Sequence, residues 1–297
     1  MSASKAAGRW TAAAIGLLER LAERERERIA LAAAWCADAI AAGGLVHLFG
    51  TGHSRIAVEE MFPRYGSFPG FHPLVELSMT FHTQIVGANG QRQAMFIERT
   101  EGLAEAILAN FSFRPTDVLL VFSVGGVTAV PIEMAEGARR RGMRVITVTS
   151  VAHSRASQPG HRDGRRLLDV ADLVIDLGTP VGDALVTLDG LQEPVGPSSS
   201  VVAVAVANEI KVQTAELLLE RGGVPPVITA PALVGPERSA ALFDAAYREH
   251  ARRAAAALAG AEPEGSGEPQ GGAPVDREGS GEPQGGAPVG RPRWDNP

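Results

Sequence analysis

The chain has 297 residues, 45% of them hydrophobic, and carries 34 acidic against 28 basic side chains for a formal charge of -6. That balance argues against nucleic acid as the main partner, and the single cysteine, Cys36, excludes an intrachain disulfide framework and points to a reducing compartment. No stretch reaches the roughly 18 consecutive apolar residues of a membrane span, and the opening MSASKAAGRW is not followed by a signal-peptide core, so a soluble, cytoplasmic chain with no membrane partner is expected.

Residues 7–42 read as a helical segment, with Leu17, Leu18, Leu21, Ile29 and Leu31 in a broken amphipathic pattern. The charged stretch ERLAERERERIA inside it has two readings: a solvated face with i,i+4 pairs, or a face from which Arg26 or Arg28 reaches a ligand, across a dimer included. Four short apolar runs follow at 45–49, 117–123, 144–150 and 172–178, each with the branched residues of a buried strand. Between the second and third lies AVPIEMAEGARRRG, a helix with Pro131 in its first turn, arginines in its last and Gly142 closing it. Strand, helix and strand in that order form a βαβ unit, which implies a parallel sheet with right-handed crossovers and helices on both faces. Ser198, Ser199 and Ser200 open a further long helix as its expected N-cap, and Glu209 or Gln213 on it are secondary pocket candidates. From residue 260 onward EGSGEPQGGAPVDR repeats as EGSGEPQGGAPVGR, rich in Gly and Pro and lacking an apolar face, so a disordered tail over 260–297 is expected.

Chemistry gathers where the strands end. GTGHS (Gly50 to Ser54), SVGGVT (Ser123 to Thr128) and TSVAHS (Thr149 to Ser154) each follow a predicted strand, and in a parallel sheet those positions share one edge, where ligands bind. The dinucleotide fingerprint would need glycine at Arg55, a P-loop would need Gly-Lys before its hydroxyl, and the hydrolase elbow fails at Ile56. No Cys or His pair has zinc spacing, so no metal and no other cofactor is expected. What fits is a phosphate held by backbone N–H groups and hydroxyls without lysine. The candidates are Gly52, His53 and Ser54 in the first loop, Ser123, Gly125, Gly126 and Thr128 in the second, and Ser150 in the third, with Arg28 from the N-terminal helix. Of the other histidines, His47 reads as packing within its strand, His72 as a neighbour on the approach, and His153 as either site or scaffold.

The stretches FGTGHSRIAVEEMFPR, AVPIEMAEGARRRGMRVITVTSVAHS, HRDGRRLLDVADLVID, GDALVTLDGL and VGPSSSVV resemble the sugar isomerase (SIS) domain, and within it the bacterial subfamily labelled UPF0309. The resemblance implies an α/β three-layer sandwich with a five-stranded parallel sheet, a homodimer or higher homo-oligomer, and a phosphorylated sugar as ligand. It places the phosphosugar-binding domain at 45–226, between the N-terminal helical segment at 1–44 and a C-terminal helical extension at 227–259 that the repeat tail at 260–297 follows. The phosphate loop S-x-S-G-x-[ST/N] falls on Ser123 to Thr128, with Gly125 where a second serine is usual. A second departure is ITAPALVGPERSA after Pro225 and Pro226, where relatives carry an Asn-Val-Asp-Gly-Gly-like stretch. Glu59 and Glu60 are about 100° apart on one helix, so only one can face the site; the subfamily pattern favours Glu60 as the base, and His82 in SMTFHTQ matches a histidine of relatives as its acid/base partner.

The resemblance implies an enzyme that binds a hexose or N-acetylhexosamine 6-phosphate and removes its C2 proton, leading to isomerisation or to elimination as a lyase or dehydratase. The alternative is a catalytically silent phosphosugar sensor. About 44 residues before the first strand leave little room for a helix-turn-helix of roughly 75 residues, which disfavours a DNA-binding regulator. A scaffold role through the tail is the third reading.

Overall fold

The computed structural model describes residues 4–80 and 90–258. The predicted tail, 260–297, lies outside them. Two helices open the chain, α1 (Arg9–Arg24) and α2 (Arg26–Ala41). The single helical segment expected there is broken at Glu25, whose backbone leaves the helical region at φ -103, ψ 5. Its carboxylate accepts from the Arg28 guanidinium at 2.9 Å and from the Asp176 N–H at 3.2 Å, so a buried charge is paired where the helix breaks.

The elements that follow are β1 (Val46–Gly50), α3 (Arg55–Met61), β2 (Phe71–Pro73), α4 (Gly90–Ile97), α5 (Leu103–Leu108), β3 (Val118–Phe122), α6 (Ala129–Arg140), β4 (Arg144–Thr149), α7 (Val151–Ala156), α8 (Leu167–Val170) and β5 (Leu173–Asp176). After these come the antiparallel hairpin β6 (Ala184–Val186) and β7 (Val195–Pro197), then α9 (Ser199–Glu220), α10 (Pro231–Val234) and α11 (Pro236–Leu258). The main sheet is five-stranded and wholly parallel, in the order β2-β1-β3-β4-β5. The chain leaves β1 for β2 on one side and returns to β3 on the other, so the strand order reverses between β1 and β3. Ligands bind at such a reversal in open α/β sheets.

Both faces of the sheet are covered, as its unbroken apolar strands require. Val46, Leu48, Leu120, Phe122, Ile146 and Val148 face one core, shared with α1, α2, α3 and α9. Phe49, Leu119, Val121 and Val145 alternate to the other, shared with α5, α6 and α8. Helix α9 lies against both α2 and α3, and its apolar residues Val202, Val206 and Ile210 are buried. The serines expected to cap it do not use their own side chains. Asp183, held at φ 67, accepts from the N–H groups of Ser198 and Ser199 at 3.1 and 2.7 Å. The start of α9 is therefore closed by a carboxylate of the chain itself.

At the edge opposite the strand ends, Asp117 accepts from the N–H groups of Leu45 and Arg114, both at 2.9 Å, and faces His47 Nε2 at 3.4 Å. His47 Nδ1 meets His72 Nδ1 at 3.0 Å. His47 is thus a link in a buried polar chain, and packing alone does not describe it. Helix α11 closes this end. Arg253 donates to the carbonyls of Ile40 and Gly44 at 2.9 and 2.8 Å, and the Ser112 N–H donates to the Ala257 carbonyl at 2.7 Å.

Candidate functional site

Strands β1, β3 and β4 end level, with Gly50 beside Phe122 and Phe122 beside Val148, so the three loops that follow them emerge side by side. Close packing fixes their glycines. A Cβ on Gly50 would fall 2.8 Å from the Ser54 carbonyl oxygen, and one on Gly126, at φ +57, would fall 3.1 Å from Thr149 Oγ1 and 3.2 Å from Leu167 Cβ. The second loop is closed by the Gly126 N–H donating to Ser123 Oγ at 3.2 Å. It is tied to the third by the Ser150 N–H and Thr149 Oγ1, which both donate to the Val124 carbonyl at 3.0 Å. Gly160 and Leu167 anchor its outer side through the carbonyls of Val127 and Gly126, each at 2.8 Å.

Among the predicted residues, Gly52, His53 and Ser54 stand on the first loop, His53 exposed and Ser54 half-buried at the start of α3. Ser123, Gly125, Gly126 and Thr128 line the second. Thr128 occupies the N-cap position of α6 without using its side chain to cap the helix. Its hydroxyl and that of Ser123 flank the start of α6, where the Val130 N–H is taken by the Glu98 carbonyl at 3.0 Å and Pro131 has no N–H to offer. Ser150 is fully buried and plays a different part: its hydroxyl donates to the Thr179 carbonyl at 2.8 Å and accepts from the His153 N–H at 3.3 Å, capping α7. Ser154 Oγ is also fully buried, beneath Gly126, and has no hydrogen-bond partner among the described residues.

The remaining candidates are not brought to these loops. Glu60 lies six residues beyond Ser54, about 9 Å along α3, with its side chain turned toward α9. Asn208 Nδ2 donates to its carboxylate at 2.9 Å, Arg64 pairs with the same carboxylate, and Lys211 Nζ donates to its carbonyl at 2.8 Å. It lines a cavity of about 540 Å³ with Ile56, Arg64, Phe243 and Tyr247, and none of the residues from Ser123 to Thr128 borders that space. Arg28 is held by Glu25 and borders a separate cavity of about 480 Å³ with Val151, Arg155 and Asp176. Gln213 donates to Glu209 at 3.1 Å, and both border a third cavity between α1, α2 and α9. His82 lies outside the described residues. Cys36 is buried and its thiol is pushed up to about 12 by that burial, so it carries no nucleophilic role at neutral pH.

One carboxyl that sequence reasoning did not single out does reach the loops. Glu98, just past α4, accepts from Thr51 Oγ1 at 2.7 Å through its side chain and from the Val130 N–H at 3.0 Å through its carbonyl. It thereby bridges the first loop and the first turn of α6. Burial raises its pKa, against the opposing hydrogen bond from Thr51 and the nearby Arg99. Nothing in the run QAMFIERTEG marks this glutamate out, because its role arises only when the fold brings Thr51 beside it.

A SIS domain model matches residues 9–150. A UPF0309 protein of Streptomyces avermitilis is 37% identical over 230 residues, which is 77% of this chain and 89% of that protein. The chain belongs to the UPF0309 family of SIS-domain proteins. A second UPF0309 protein, from Listeria monocytogenes serotype 4b, is 33% identical over 213 residues, 72% of this chain and 84% of its own. Among solved structures, a phosphoheptose isomerase from Francisella tularensis overlaps 73% of this UPF0309 chain and all of its own, at 15% identity and a TM-score of 0.47. The match to the SIS model begins in α1, ahead of the sheet.

Proposed function

We propose that this UPF0309 protein binds the phosphate of a hexose or N-acetylhexosamine 6-phosphate on the Ser123–Thr128 loop and moves the sugar's C2 proton. The observation that carries the reading is the level meeting of three hydroxyl- and glycine-rich loops at the β1/β3 reversal, beside the start of α6. Backbone N–H groups and hydroxyls there suit a phosphate, and the carbon chain of a bound sugar would extend from them toward the first loop. A base takes the C2 proton. If the electrons move to C1 and the proton returns there, the outcome is isomerisation; if the C3 substituent leaves with a proton from an acid, the outcome is elimination.

The upward shift that burial gives the Glu98 carboxyl suits a group that both holds and releases a proton, and its bond to Thr51 supports a place beside the sugar. Glu60, the base expected from the family pattern, and His82, its expected partner, remain candidates for the second proton. The engagement of Glu60 by Arg64 and Asn208 favours the other reading, a phosphosugar sensor without turnover. The apolar rim formed by Ile56, Tyr65, Phe243 and Tyr247 supports assembly as a homodimer.

Proton NMR in D2O with glucosamine, N-acetylglucosamine and fructose 6-phosphates separates these readings. Deuterium entering C1 or C2 of an aldose/ketose pair is the result expected for isomerisation, and loss of the C2 proton with a new vinylic signal is the result expected for elimination. Glu98→Gln and Glu60→Gln are run beside the wild type; removing the general base should slow exchange about 10²- to 10⁴-fold. Line broadening of the sugars without exchange would establish the sensor, and neither exchange nor broadening would overturn the proposal.

A further inference from the structure

We propose that His153 is a phosphate-binding residue whose imidazole Nε2–H supplies the side-chain donor that the second loop lacks at Gly125. The inference rests on the phosphosugar reading above and assigns one contact within that site. Three observations lead to it. The first is the state of the ring. The Gly182 N–H donates to His153 Nδ1 at 3.1 Å; a ring nitrogen that accepts an N–H bears no proton, so the neutral imidazole carries its proton on Nε2.

The second is where that nitrogen lies. A Cβ placed on Gly125 would be 3.8 Å from His153 Nε2 and 3.7 Å from Cδ2. The protonated edge of the ring therefore stands beside the loop position that has no side chain, with ordinary contact distance between them. The third is how firmly the ring is held. His153 sits in the first turn of α7, where Ser150 Oγ accepts its N–H, and the Ser150 hydroxyl is itself fixed on the Thr179 carbonyl. One ring nitrogen, the residue's backbone and the capping serine are all engaged, and Nε2 is the polar atom left to face the loop.

The donor set around the anion then comprises the Ser123 and Thr128 hydroxyls and the His153 Nε2–H beside the start of α6, where the Val130 N–H is already given to the Glu98 carbonyl and Pro131 has none. The protein's two lysines, Lys5 and Lys211, belong to neither this loop nor its neighbours. The ligand chemistry this set takes is a phosphate monoester or free phosphate.

Calorimetric titration of the full chain with fructose 6-phosphate, inorganic phosphate and unphosphorylated fructose tests the assignment. His153→Asn keeps an acceptor for the Gly182 N–H but has no group that reaches Gly125, whereas His153→Gln carries an amide N–H near the original Nε2. The expected result is binding of both phosphates weakened about 10-fold or more in His153→Asn and held within about threefold in His153→Gln. Adding Gly125→Ser to His153→Asn should recover most of the loss, because the Cβ has room and the backbone there is not left-handed. His153→Phe preserves the ring volume and replaces the Asn variant should that one fail to fold. Ser123→Ala serves as the control for the site as a whole. If Ser123→Ala weakens binding but His153→Asn does not, this assignment falls and the phosphosugar reading stands. Weak binding that Gly125→Ser cannot restore would make His153 a support for the Gly182 turn and overturn the assignment. If the wild type binds neither phosphate, the phosphosugar reading and this one fall together.

Discussion

Glu98 holds its carboxyl against the Thr51 hydroxyl in a half-enclosed position, and burial raises its pKa above the ordinary carboxylate value. A group whose folded pKa lies above its unfolded one contributes stability that is fully present below the unfolded value, and this is lost as pH rises through the folded value. At neutral pH the buried charge is therefore a burden. Glu98→Gln keeps an acceptor for Thr51 and removes the charge, so it should melt higher than the wild type at pH 7.5 and at nearly the same temperature at pH 4, by about 2–4 °C for each kcal/mol regained. Calorimetric melts at the two pH values check this; equal melting at pH 7.5 would show that the carboxylate is not strained by its surroundings. If the same variant also loses sugar-phosphate turnover, stability has been given up for a proton-handling group. At this scale the sequence showed well that three glycine- and hydroxyl-rich loops meet at one edge of the sheet, because such clusters directly after apolar strands mark where parallel strands end. It did not show Glu98, which depends on a contact across 47 positions. It narrowed the base to Glu60 on one face of α3, but the direction of that face is set by Asn208 and Lys211 on α9, far beyond any local pattern.

Strands β1 and β2 are joined through their histidines as well as their backbones. His72 has its pKa lowered to about 4, chiefly by burial and secondarily by His47 and His250; burial and Arg253 lower that of His250 too. For a histidine depressed below its unfolded value near 6.5, the unfolded chain takes up protons first, and stability falls as pH drops from about 6.5 to about 4. His72 alone accounts for at most about 3 kcal/mol of that loss. His72→Gln should therefore narrow the gap between melting temperatures at pH 7.5 and pH 5.0. An unchanged gap would assign the acid sensitivity to other groups. Asp117, held below its usual value by bonds from His47, Arg114 and Leu45 that outweigh its burial, contributes in the same sense, losing its stabilisation as pH falls below about 4. Helix α11 is joined to the same end by Arg253, which is buried and donates to two main-chain carbonyls. Arg253→Met should cost about 2–4 kcal/mol in urea unfolding, by leaving those two buried carbonyls without their donor. A loss below about 1 kcal/mol would mean that water replaces the guanidinium at no great cost. The elements absent from the sequence reading share a reason. β2 and the β6/β7 strands are three residues each, and β2 ends in Pro73 at the sheet's edge, where a missing N–H is tolerated. The break at Glu25 is invisible in a run of strong helix formers, because part of what holds the buried carboxylate there is the Asp176 N–H, 151 positions away.

The whole molecule joins two layers of helices through one parallel sheet, an arrangement legible from alternating apolar strands and helices. Which helix lies on which face was not legible, since α9 returns from the end of the chain to cover α2 and α3. That return leaves an apolar rim on the outside: Ile56 is 43% exposed, Tyr65 55%, Phe243 42% and Tyr247 39%, with the Phe243 and Tyr247 rings stacked at 4.4 Å. Large apolar side chains clustered around an open cavity are a poor surface for a lone chain in water, and a second copy laid over them would remove the rim from solvent. Covering the rim would also enclose the cavity into which Glu60 opens, and a Glu60 shielded from bulk water would respond more strongly to its Arg64 partner. The proposed homodimer therefore predicts a mass near twice 31.1 kDa by light scattering. Phe243→Glu should shift that mass to a single chain, since two like charges and a desolvated carboxylate would then meet across the symmetric contact. A wild type that remains single at high concentration would overturn the dimer and leave the rim as the mouth of a ligand cavity. A dimer insensitive to Phe243→Glu would place the contact on another face.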